Sequence, residues 1–182
     1  MHYMIIRTET EKDFDFIDQI HDSAFGHSVE SALIRRLRAS AGFVKDFSLV
    51  AECDGKTVGH VLFTPVTVES PVKSSPAVIL APLAVLGEHR GVGAGTALVA
   101  EGIRRTKDAG YTLMLVYGHR FYEKKFGFTL AHEQGIFRPN PMPGAVVRML
   151  PLTEGGAEGV SGVIKYPVEF RPLIEEWYGK ED

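Results

Sequence analysis

At 182 residues, 45% of them hydrophobic and 24% charged, the chain has the length and composition of one folded unit with its own core. A net charge of −3 argues against a nucleic acid or an anionic membrane as partner, since both call for concentrated basic charge. The lone cysteine, Cys53, excludes an internal disulfide and a cysteine-rich zinc site; no stretch nears the roughly 20 apolar residues of a bilayer span, and no secretory pattern opens the chain. A cytoplasmic location is the expectation.

In chain order, Met4-Ile5-Ile6-Arg7 is short, apolar and β-prone. Thr10, with Asp13 three residues on, reads as a helix start, followed by Phe14, Ile17, Ile20, His21 and Ala24 at helical spacing. A second helix follows Ser28, with Leu33, Ile34 and Leu37 inward and Arg35, Arg36 and Arg38 as a solvated face. Phe47 to Cys53 reads as a strand, with Cys53 a small buried hydrophobe. Asp54-Gly55 is a hairpin turn, and Val58 to Glu69 is the return strand. Pro71 and Pro76 bound a polar connection before Ala77 to Val85, giving three consecutive antiparallel strands.

The order then changes. Leu80 to Val85 leads through a glycine-rich loop into a helix from about Gly93 to Asp108, stopped by Gly110, with Gly95, Leu98, Val99, Gly102, Ile103 and Thr106 on one face. Thr112 to Val116 is wholly apolar, as for a strand covered on both sides, and the unit implies a parallel pair with a right-handed crossover. A short helix, Arg120 to Lys125, ends at Phe126-Gly127-Phe128. A polar stretch with Pro139, Pro141 and Pro143 follows, then a strand from Ala145 to Leu152 and a glycine-rich mobile loop from Glu154 to Gly162. Val163 to Tyr166 reads as an edge strand, and Tyr166, Phe170 and Trp177 suggest a tail that docks. On this basis residues 1–152 form the main domain and 153–182 a loop and tail packed on it.

The segment Arg90-Gly91-Val92-Gly93-Ala94-Gly95-Thr96 carries the chemistry. Three alternate glycines let the backbone turn tightly and approach a ligand, and the loop opens a helix whose first N–H groups lack partners and carry partial positive charge. A diphosphate suits such a site, with Arg90 as an added charged donor. A P-loop would need a Gly-Lys-Ser/Thr, and no lysine is present; a dinucleotide fingerprint would need glycine where Thr96 stands.

Leu83-Ala84-Val85 followed by Arg90 to Gly95, with Gly118 to Phe128 closing on Gly-Phe, resembles the GNAT N-acetyltransferase superfamily, and within it the YhbS-like subgroup. The resemblance is specific from about Leu80 to Phe128. It implies an α/β (α+β) mixed sheet of six or seven strands, mostly antiparallel, with a splayed central parallel pair and helices on both faces. Acetyl-CoA as co-substrate would pair its pantetheine arm with Leu83, Ala84 and Val85, and its diphosphate would sit on Gly91, Val92, Gly93, Ala94, Gly95 and Thr96 near Arg90.

The implied reaction moves an acetyl group to an amine, on a small molecule or a protein, by direct attack in a ternary complex; a homodimer is left open. The proton donor for the departing thiolate would be a tyrosine of the short helix, four residues before the glycine of Gly-Phe. That position is Glu123, and Tyr122 stands one residue earlier, so Tyr122 after a local shift, Glu123 or a water, and catalysis by proximity alone all remain open. A tyrosine with an ordinary pKa of about 10 is protonated at neutral pH and can donate. Glu52, His60, Glu69 and His119 are the candidates for a base, each also readable as a strand or surface residue. No metal-ligand spacing such as H-E-x-x-H occurs, so no catalytic metal is expected. The alternative from another class is a module that binds acyl-CoA without turnover.

Overall fold

The computed structural model describes residues 3–118, 120–139 and 146–178, leaving aside the side chains of Arg120, Tyr122 and residues 176–178. Pro141, Pro143, Ala145 and the Trp177 side chain therefore lie outside the described residues. One sheet organises the molecule. Strands β1 (Met4–Thr8), β2 (Ser48–Cys53), β3 (Lys56–Glu69) and β4 (Ser74–Val85) run antiparallel in that order. Asp54 and Gly55, at φ 49° and 80°, form the two-residue left-handed turn that suits the twist of the β2–β3 hairpin.

Helix α1 (Phe14–Phe25) begins as expected behind Thr10, whose N–H and hydroxyl both donate to the Asp13 carboxylate at 2.8 and 2.9 Å. Helix α2 (Val29–Arg38) buries Leu33, Ile34 and Leu37. Its arginine row is only partly solvated. Arg35 and Arg36 are exposed, but Arg38 turns inward to the buried Glu9, because a buried carboxylate there needs a cation.

After β4, helix α3 (Ala94–Asp108) crosses over to β5 (Leu113–Tyr117), which lies parallel to β4. The parallel register runs only from Val78 to Leu80 against Met114 to Val116, whereas β4 continues to Val85. That divergence leaves the far end of β4 facing open space beside the start of α3. The short helix α4 (Arg120–Phe126) follows β5. Strands β6 (Thr129–Leu130) and β8 (Val147–Pro151) extend the sheet beyond β5, in the order β5-β8-β6.

The mixed, mostly antiparallel sheet with a central parallel pair is as expected, but among the described residues it has nine strands rather than six or seven. β6 and β7 (Ile136–Phe137) are two residues long, too short to leave a periodic pattern. The expected edge strand is interior: β9 (Gly162–Lys165) lies between the outer half of β3 and β7. Nor is the preceding glycine-rich stretch a loose loop. Its Ala157 and Val160 are buried in the core, and the Gly162 N–H donates to Gly135 O at 2.9 Å.

Two apolar layers sandwich the sheet. One gathers α1, α2 and α5 (Arg171–Tyr178), with Ile17, Leu33, Leu37, Phe170 and Leu173 buried. The other holds α3, with Leu98 and Val99 against Phe63, Val78 and Val116. Cys53 is buried in this second layer. Gly102 lets α3 lie directly on the Phe63 ring, since any Cβ there would overlap it.

Candidate active site

The loop expected to bind an anion has the backbone for it. Gly91 and Gly93 take φ 81° and 95°, left-handed values that side chains disfavour, and α3 begins at once with Ala94. The first helical hydrogen bond runs from Ala97 N–H to Gly93 O at 2.9 Å. The N–H groups of Ala94, Gly95 and Thr96 therefore precede any intrahelical acceptor, and the first turn holds no acidic side chain to neutralise its positive end.

Beside this loop lies a cavity of about 610 Å³, within the range of small-ligand sites. Leu83, Ala84 and Val85 form one wall, the end of β4 that pairs with β3 on one side but runs past the pairing with β5 on the other. Arg90, Gly91, Gly93, Ala94, Gly95 and Thr96 form the next. Val92 is the exception: its side chain faces away, 54% exposed, and does not line the space. Arg90 donates its Nε–H to Val85 O at 3.2 Å, tying the loop to the strand end. Gly59 on β3 keeps this corner tight, since a Cβ there would sit 3.2 Å from both Leu98 Cδ1 and Val85 Cγ2.

The remaining walls were not foreseen. Ala24 and Phe25 come from the end of α1, His89 from the turn before Arg90, and Phe121 and Lys125 from α4. Phe121 and Lys125 stand four residues apart, so they share a helix face, and that spacing was visible in the sequence. Nothing local marked Ala24 and Phe25, which reach the cavity only through the packing of α1 on the sheet.

The structure treats the acid–base candidates unequally. Glu123 is 54% exposed, does not line the cavity, and lies 3.5 Å from Arg148 on β8, whose Nη1 also donates to Gly118 O at 2.5 Å. The geometry engages this carboxylate in joining α4 to the sheet. His119 and the Tyr122 side chain lie outside the described residues. Glu52 accepts from Arg7 Nε at 3.0 Å, and Glu69 is exposed, accepting from Thr67 Oγ1 at 3.2 Å.

His60 is neither on the surface nor facing the cavity. It is fully buried, with Nδ1 2.9 Å from His21 Nε2 and Nε2 2.9 Å from Ser48 Oγ and 3.5 Å from Glu9. Glu9 in turn takes a two-pronged contact from Arg38 at 2.8 and 2.7 Å. Burial pushes Glu9 upward, but hydrogen bonds from Arg38 and His60 outweigh it and hold the carboxyl at about 2. Burial lowers both histidines; for His21 the neighbouring His60 and Arg38 add to this, whereas for His60 the Glu9 carboxylate opposes it. The His21 ring also stacks on Phe25, with centroids 6.0 Å apart, so this polar cluster stands directly behind the cavity wall.

An open strand edge meeting a glycine-turned, cationic helix start defines a class of α/β protein suited to an extended ligand that bears phosphate. The chain belongs to the acetyltransferase (GNAT) domain family, whose model matches residues 5–131. It is 34% identical over 144 residues to the uncharacterized N-acetyltransferase YjhQ of Escherichia coli K12, covering 79% of this chain and 80% of YjhQ. The crystal structure of the GNAT family N-acetyltransferase YhbS from Escherichia coli in complex with CoA superposes with a TM-score of 0.84 at 29% identity, covering 94% of this chain and 93% of that one. A Brucella melitensis GNAT family acetyltransferase in complex with acetyl-CoA gives a TM-score of 0.74 at 27% identity, covering 93% and 99%.

Proposed function

We propose that this protein transfers the acetyl group of acetyl-CoA to an amine, on a small molecule or a protein, with both substrates bound together. The observation that carries this reading is the convergence of Leu83, Ala84, Val85, Arg90 and the unpaired amides of Ala94, Gly95 and Thr96 on one cavity. The strand edge pairs with the amide-bearing pantetheine arm as an added strand would. The diphosphate sits on the amides that open α3, where Gly91 and Gly93 remove side-chain obstruction and Arg90 adds charge. The co-substrate brings an acetyl thioester. The chain's part is to align that carbonyl with the amine nitrogen and to manage protons. As the C–N bond forms and the C–S bond breaks, the Tyr122 hydroxyl gives its proton to the sulfur, the nitrogen's surplus proton leaves to water, and water returns a proton to the phenolate.

Residues 1–152 carry this unit, with 153–182 as supporting structure, and the protein works in the cytoplasm. Thiol release from acetyl-CoA over a panel of amines tests the reading. Release is expected with at least one amine, and Gly93→Glu, which brings a carboxylate to the anion site, should abolish it while the folded circular-dichroism spectrum persists. One observation favours a second reading, a binding module without turnover: Glu123, at the position expected of the donor, is held by Arg148 outside the cavity. Saturable CoA binding with no thiol release from any amine would establish that module and overturn the transferase.

A further inference from the structure

Among the described residues, the side chains lining the cavity include cations and no carboxylate, although the chain as a whole carries −3. Arg90 and Lys125 supply that charge, with the His89 imidazole beside them, and Arg90 and His89 are already engaged. Arg90 gives its Nε–H to Val85 O, and His89 Nε2 lies 3.6 Å from the Glu88 carboxylate. Lys125 differs. It is exposed on the last turn of α4, and no residue among those described holds its ammonium. Sharing a helix face with Phe121, it faces the cavity from a different element than the amides of Ala94, Gly95 and Thr96.

Those amides answer for one anionic group, the diphosphate. CoA carries a second, the phosphate on the 3′-oxygen of its ribose, and among the described residues of the α4 wall the cation facing it is Lys125. Resting on the reading of this cavity as the acyl-CoA site, we propose that Lys125 is a specificity-determining residue that pairs with the 3′-phosphate of CoA. The enzyme thereby separates CoA from its 3′-dephospho form. An ammonium–phosphate contact at a partly desolvated mouth is a charge-assisted hydrogen bond, stronger than a neutral one and sensitive to salt. Lys124, adjacent and of equal charge, does not line the cavity and supplies the control.

Titration calorimetry of the intact protein at modest salt, with CoA and with 3′-dephospho-CoA, tests this. The unaltered protein should bind CoA about tenfold more tightly than the dephospho form. Lys125→Ala should bind the two within about twofold of each other, by losing affinity for CoA alone, and Lys124→Ala should keep the preference. A preference that survives Lys125→Ala overturns the proposal. So does an equal weakening of both ligands, which would assign Lys125 to the diphosphate, or an equal loss in Lys124→Ala, which would assign the effect to general charge. Failure of the unaltered protein to take up CoA would instead sink the reading of the cavity, and the proposal with it.

Discussion

Tyr122 and Glu123 are neighbours in sequence, and the two carry different expectations. Arg148 claims the Glu123 carboxylate, so Glu123→Gln should change kcat by no more than about threefold, whereas Tyr122→Phe should lower it about a hundredfold, the usual range for a lost general acid. Steady-state thiol release with a competent amine reads both. At the buried cluster the expectation concerns stability. Unfolded histidines titrate near 6.5, while burial holds His21 and His60 lower in the folded state, so below that pH the unfolded chain binds more protons and stability falls as pH drops. Glu9 adds a second loss, from its unfolded value near 4.5 down through about 2. Thermal melts should therefore weaken steadily from pH 7 to pH 5, and His60→Gln, less stable overall, should flatten that slope. None of this cluster was legible beforehand: Glu9, His21, Arg38, Ser48 and His60 come from five segments, and no local pattern links them.

At the level of elements, the hairpin turn at Asp54-Gly55, the glycine loop and the crossover helix were all legible, because each is specified by neighbours in sequence. Gly102 was read correctly as part of the buried face of α3, but its purpose appears only in the packing against Phe63. Gly102→Ala should cost about 1–3 kcal/mol by overpacking, outweighing the smaller gain in helix propensity, and chemical denaturation would measure it. A neutral or stabilising result would mean that the Phe63 ring has room to move. The two-residue strands β6 and β7 escaped because they contain too few residues to show a period of two.

Across the whole molecule, the C-terminal residues are structural rather than appended. Ile164, Phe170 and Leu173 are almost wholly buried, and at roughly 2 kcal/mol each their burial rivals the net stability of an ordinary domain. A chain ending at residue 152 should show no cooperative melting transition when heated and followed by circular dichroism. The glycine-rich run before β9 misled the sequence reading because composition suggested mobility, while Ala157 and Val160 bury themselves against the core. The position of β9 also constrains biosynthesis. Its partner residues Thr67 to Glu69 leave the ribosome nearly a hundred residues earlier, a delay of about five to twenty seconds at ordinary elongation rates. Throughout that interval this edge of β3 has no strand beside it, and it is covered only once residues 162–165 have been translated.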